Sequence, residues 1–204
     1  MKKTSPILFI VSSPSGAGKT TLCRRLLAEF NDLRFSTSHT TRKPRQNEVD
    51  GKDYFFIDDA DFDEMIEDEM FIEWAHVHAY RYGTSRAELR AAANDGKDLL
   101  FDVDFQGARQ IKEQYPDALG VFVLPPSIEE LQRRLRSRGT ETDESLERRF
   151  KAALEEIANH AGFDYLVVND NLDLAYEQLR SILISERARH GRVAHIAKQM
   201  LEVW

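Results

Sequence analysis

Residues 7–30 read ILFIVSSPSGAGKTTLCRRLLAEF, and this stretch decides the fold. A continuous apolar run rich in β-branched residues (7–11) reads as a strand buried on both faces of a parallel sheet. It ends in a cluster of small residues, Ser13, Pro14, Ser15, Gly16, Ala17 and Gly18, followed by Lys19, Thr20 and Thr21 and then a helical pattern. Against the spacing G-x-x-x-x-G-K-[ST], only the first glycine departs, replaced by Ser13. Glycines let backbone N–H groups turn toward a phosphate, and the start of the helix adds partial positive charge. Lys19 is placed to reach the β and γ oxygens of a nucleoside triphosphate, and the Thr20 hydroxyl to ligate Mg²⁺. An ordinary glycine-rich turn would need neither Lys followed by Thr nor so many small residues before it. Cys23, beside Leu22, Leu26 and Leu27, reads as a buried small hydrophobe.

Working outward, the apolar pattern returns at residues 99–103, 120–124 and 165–168, with helix-like stretches between. That alternation predicts an α/β fold, a parallel sheet of the P-loop NTPase type with flanking helices. Residues 35–82 break the rhythm with short aromatic runs around an acidic stretch, which predicts a small inserted α+β subdomain. Residues 133–151 carry Arg133, Arg134, Arg136, Arg138, Arg148, Arg149 and Lys151, interrupted by Gly139 and Thr140, and read as an arginine-bearing lid. From residue 171 onward helical spacing predicts C-terminal helices packed on the sheet.

Composition narrows the partners. The 204 residues include 28 basic and 35 acidic side chains, a formal net charge of −7. That argues against bulk electrostatic binding of nucleic acid or an anionic membrane, so a bound polyanion is small and met locally. A single cysteine allows no intramolecular disulfide and fits a reducing compartment. The first apolar run is far below the roughly 18 residues that span a bilayer, and the expected location is cytoplasmic. The oligomeric state is left open.

The inserted segment decides the reaction. Ser38, Thr40, Thr41, Arg42, Arg45, Glu48, Gly51, Asp53, Tyr54 and Phe56 fit the pattern SxTTRxxRxxExxGxDYxF of the guanylate kinases. Phe71, Ile72, Glu73, Trp74 and Ala75, then Tyr82, Gly83 and Thr84, then the DVDxQG run from Asp102 through Gly107, resemble that family in order and spacing. So do RLRSRGTETDESLERRF at 134–150 and the run Val168, Asn169, Asp170. The resemblance implies transfer of the γ-phosphoryl group of ATP to GMP, and dGMP as well, in purine nucleotide recycling, with Mg²⁺ as cofactor. It implies a core of residues 1–34, 85–132 and 152–204, a GMP-binding unit of 35–84 and a lid of 133–151. It places Ser38, Glu73, Thr84 and Asp102 at the guanine, and Arg42, Arg45, Tyr54 and Tyr82 at the GMP phosphate. ATP falls to residues 13–21 and Asn169, with Lys19, Arg42, Arg134, Arg138 and Arg149 as the catalytic cations and Thr20 as the metal ligand.

Elementary chemistry agrees. Guanine presents N1–H and its N2 amine as adjacent donors that one carboxylate such as Glu73 accepts together, whereas adenine presents an acceptor at N1. Arg42 and Arg45 offer planar donor forks to a phosphate, although alone they would read as solvated charge beside Pro44. Asp104 suits either a metal's water shell, a neighbouring arginine or a helix cap. The eight carboxylates between residues 58 and 69 read as a solvated helix face rather than a metal site, and His76 with His78 lacks a third ligand. Two rivals remain at this level: a related P-loop kinase for another phosphorylated acceptor, and a phosphopeptide-binding scaffold that has lost ATP chemistry.

Overall fold

The structure is a computed structural model and describes residues 5–77, 79–136 and 143–202. Its centre is strand β1 (Leu8–Ser12), every residue of which is buried. Successive side chains point to opposite faces of a strand, so Phe9 and Val11 enter one apolar cluster while Leu8 and Ile10 enter another. Full burial of such side chains contributes about 1.5–3 kcal/mol each, which makes this run the spine of the core.

The sheet is parallel and five-stranded, in the order β2 (Leu33–Phe35), β7 (Asp98–Asp102), β1, β8 (Leu119–Leu124), β9 (Tyr165–Val168). Between β2 and β7 the chain builds a second, four-stranded sheet, ordered β4 (Phe55–Phe56), β3 (His39–Thr40), β6 (Tyr80–Ser85), β5 (Phe71–Val77), with α2 (Asp59–Glu67) beside it. Helices α1 (Lys19–Glu29) and α7 (Leu172–Arg187) cover one face of the parallel sheet through Leu22, Leu26, Leu179 and Leu183. Helices α3 (Arg86–Asp95) and α4 (Phe105–Gln114) cover the other through Ala92, Ala108 and Ile111.

The expected α/β architecture is present, with three corrections. Strand β2 escapes the apolar pattern because only Leu33 of its three residues is buried, yet it pairs in parallel with β7. Strand β9 is not buried on both faces: it is the sheet's edge, and Leu166 and Val168 are each 49% exposed while Val167 alone is buried. Of the C-terminal helices, α7 packs on the sheet, whereas α8 (His190–Glu202) buries none of its side chains.

The acidic stretch forms α2, with Asp58 as its N-cap accepting from Asp61 N at 2.9 Å. Its carboxylates face solvent as expected, Asp59 and Asp63 being 78% and 63% exposed, and these two also meet a cation. Arg81 pairs with Asp59 at 2.6 Å and Asp63 at 2.5 Å while lying 4.7 Å over the Phe62 ring, and Phe62 stacks on Phe71. Helices α5 (Ile128–Arg136) and α6 (Asp143–Ala158) meet through Leu131, Leu135 and Ala153. Arg138, Gly139, Thr140 and His78 lie outside the described residues.

Candidate active site

Strand order reverses around β1, with β7 on one side and β8 on the other, and ligands of open α/β sheets bind beyond the strand ends at such a point. There the loop 13–18 turns into α1. Gly16 and Gly18 have φ of 95° and 97°, a left-handed conformation that favours glycine. Ser13 does not adopt it, which explains why serine is accommodated where the motif has glycine. No acidic side chain occupies the first turn of α1, so the helix dipole is free to act on an anion. Thr20 faces the cavity, and the neighbouring Thr21 is exposed.

The ammonium of Lys19 sits 2.6 Å from Asp102 Oδ1 at the end of β7 and donates to Val103 O at 3.2 Å. Burial pulls this lysine toward its neutral form, but Asp102 outweighs it and holds the pKa above the ordinary value. Asp102 and Lys19, read from the sequence as belonging to different substrates, therefore share one contact. Asp104 caps α4, accepting from Gly107 N at 2.9 Å and Gln106 Nε2 at 3.0 Å.

Asn169 lies beneath the loop: it is buried, and its amide donates to Ala17 O at 2.7 Å. Arg134 reaches the carbonyl of Asn169 at 3.0 Å and the carboxylate of Glu130 at 2.6 Å, and Arg149 donates to Ser15 Oγ at 3.2 Å. Glu156 accepts from Ser15 N at 3.1 Å. Sequence reasoning missed Glu156, because a Glu155, Glu156 pair in a helical pattern reads as solvated charge.

Across the cavity, Glu73 is paired in register with Thr84, and Thr84 Oγ1 lies 3.1 Å from Ser38 Oγ. A bulge between Phe71 and Glu73 re-aims the strand, leaving Glu73 only 4% exposed. Burial pushes its pKa up to about 7, against the Thr84 hydrogen bonds that lower it. Two glutamines also unflagged by sequence hold this strand against α4. Gln110 bonds both backbone groups of Trp74, at 3.1 and 2.8 Å, and Gln114 donates to Ile72 O at 2.6 Å.

The expected phosphate grip is partly assembled. Arg42 donates to the Tyr82 hydroxyl at 3.3 Å, lies 5.3 Å over the Tyr54 ring, and forks onto Glu48 with two bonds of 2.9 Å. Arg45 is not brought in by its side chain, which is exposed, although its backbone N–H also donates to Glu48 at 2.8 Å. Residues 13–16 and 18 of the loop, Lys19, Thr20, Ser38, Tyr54, Glu73, Tyr82, Asp102, Asp104 and Glu156 line one cavity of about 310 Å³. Among these described residues one ammonium faces four carboxylates, so a phosphate-rich ligand needs further positive charge.

A family model described as guanylate kinase matches residues 5–186. The guanylate kinase of Geobacter sulfurreducens is 45% identical over 201 residues, covering 98% of this chain and 99% of that one. That of Hyphomonas neptunium is 50% identical over 187 residues, covering 91% and 86%. The crystal structure of guanylate kinase from Anaplasma phagocytophilum superimposes with a TM-score of 0.77 at 30% identity, covering 94% of this chain and 91% of that one.

Proposed function

Since the chain belongs to the guanylate kinase family and transfers a phosphoryl group from ATP to GMP, giving ADP and GDP, we propose that the cavity between its two sheets is where the transfer takes place. The observation that carries this assignment is a single cavity lined on one side by the loop with Lys19 and on the other by Ser38 and Glu73.

In this reading Glu73, as the carboxylate, accepts from guanine N1–H and the N2 amine, with the Ser38 and Thr84 hydroxyls beside it. Adenine would set an acceptor against the same oxygens and leave them unpaired, which is how a polar site discriminates most strongly. Arg42, Tyr54 and Tyr82 hold the acceptor phosphate, and Arg45 joins them. The backbone N–H groups of the loop and the start of α1 take the ATP phosphates. Lys19 exchanges part of its contact with Asp102 for the transferring group, where charge builds up in the transition state. Arg134 and Arg149, already beside the loop, complete the neutralisation together with Arg138.

The Thr20 hydroxyl and the carboxylates of Asp102 and Asp104 are hard oxygen donors lining the same cavity, a set that suits Mg²⁺. Thr20 would hold the ion directly. When bound, Mg²⁺ neutralises charge on the β and γ phosphates. The chain supplies no covalent intermediate, since positioning and electrostatics perform most of phosphoryl transfer.

The contacts assigned to the acceptor fall on base and phosphate, so we extend the acceptor to dGMP. No helix among the described residues is long and apolar enough to cross a membrane, and a single buried cysteine suits the reducing cytoplasm. The assignment is tested by coupled ADP release with GMP, dGMP, AMP and UMP, on the native chain and on Glu73→Gln. GMP and dGMP should lead by orders of magnitude, and the GMP to AMP ratio of kcat/KM should fall in the variant. An equal drop for both acceptors would remove Glu73 from base recognition.

A further inference from the structure

One carboxylate sits where a phosphate should. Glu156 Oε2 accepts the backbone N–H of Ser15 at 3.1 Å, and Ser15 lies inside the loop whose N–H groups are those a triphosphate takes. Seven residues earlier, two turns up the same face of α6, Arg149 donates to Ser15 Oγ at 3.2 Å. Helix α6 thus grips one loop residue twice, by an anion on its backbone and a cation on its side chain. The carboxylate lines the nucleotide cavity together with Asp104. Burial and the nearby like charge of Asp104 push its pKa up, against the Ser15 N–H and Lys19 that favour its ionised form.

A carboxylate oxygen and a phosphoryl oxygen are equivalent acceptors for a backbone N–H, and two anions cannot share it. We infer that Glu156 is a positioning residue that holds the phosphate's place on Ser15 N–H and must be displaced by incoming ATP. The inference rests on reading loop 13–18 as the ATP phosphate site. Its consequence is quantitative: the apparent ATP affinity is lowered by the fraction of molecules whose Ser15 N–H is already taken. The cost falls on ATP and not on GMP, whose assigned contacts lie on the other sheet.

Glu156→Gln keeps the shape and replaces a charged acceptor by a neutral one, which is roughly half as strong a partner. The KM for ATP should fall about three- to tenfold, with the KM for GMP changed less than about twofold and kcat not reduced. Calorimetric titration supplies a readout apart from turnover: ATP should bind more tightly to the variant, and adenosine, which lacks the phosphates, should bind the same. Glu155→Gln, an exposed neighbour on the same helix, should change neither. Glu156→Ala should reproduce the gain. An unchanged or weakened ATP affinity in Glu156→Gln, or an equal gain in Glu155→Gln, would overturn the inference. The loop assignment is tested separately by Lys19→Met: lost turnover there with no ATP gain in Glu156→Gln sinks the inference alone, and normal turnover there sinks the loop assignment.

Discussion

Gly107 leaves the space that Glu73 occupies: a β-carbon on Gly107 would stand 2.7 Å from Glu73 Oε2 and 3.1 Å from Val103 Cβ. The glycine of the DVDxQG run is thus required by the carboxylate on the neighbouring strand, and its φ is not left-handed. Gly107→Ala should push the Glu73 carboxylate out of the space beside α4. We expect kcat/KM for GMP to fall about ten- to a hundredfold, since misplacement of a recognition group by about 1 Å costs on that scale, with the KM for ATP within about twofold. Native GMP kinetics in this variant would show that the carboxylate does not need the space.

With Glu73 reading guanine as proposed, its pKa of about 7 should make acceptor binding pH-dependent. Only the ionised form accepts both guanine donors, so below pH 7 GMP must expel a proton and its KM should rise toward tenfold per pH unit. Glu73→Gln keeps any slope due to the nucleotide's own phosphate and should lose this one. Stability has the opposite sign from that of a salt-bridged carboxylate. The folded state binds more protons than the unfolded between the ordinary value of 4.5 and about 7, so stability falls as pH rises through that window. The Tm of Glu73→Gln relative to the native chain should therefore climb from pH 5 to pH 8.

Lys19→Met should lower kcat by at least roughly a hundredfold, the scale of losing one preorganised donor at developing negative charge. It also strands Asp102, whose 2.6 Å partner is gone. Adding Asp102→Asn should recover Tm and leave turnover low. Recovery of turnover in the double variant would mean that Lys19 only neutralises Asp102.

Asn169 braces the loop through Ala17 O, and a β-carbon on Gly18 would overlap its amide. Asn169→Ala loses that buried bond, worth about 1–3 kcal/mol when a partner is left unsatisfied. The KM for ATP should rise about five- to thirtyfold, and amide exchange at residues 15–18 should quicken in the free enzyme. Weaker ATP binding with unchanged exchange would mean that Asn169 touches the nucleotide itself.

Arg149 and Arg134 flank the loop from α6 and α5. Amide exchange in α5 and α6 should slow when ATP and GMP are both present, because the bound phosphates add partners to these arginines. Equal protection in the free and doubly liganded enzyme would rule out such tightening.

The nucleotide loop, the strand before it and the helix after it were determined by sequence alone, as were β7 and β8 to within a residue. Their signals are contiguous: an apolar run, glycines whose left-handed φ a loop needs, and Lys19 followed by Thr20 all lie within one stretch of chain. Glu73, proposed to read the base, and the arginines were legible through pattern and chemistry. What surrounds them was decided by the tertiary structure. Lys19 meets Asp102, Ser15 meets Glu156 across 141 residues, and Asn169 meets Ala17 across 152. The exposed face of β9 follows from its place at the edge of the sheet, and α8 meets α7 through Arg192 and Glu186 without burying a side chain. Periodicity reports which face of an element is apolar; which carboxylate an ammonium finds, and whether a glycine is needed for space, depend on strand order and helix packing that bring distant residues into hydrogen-bonding contact.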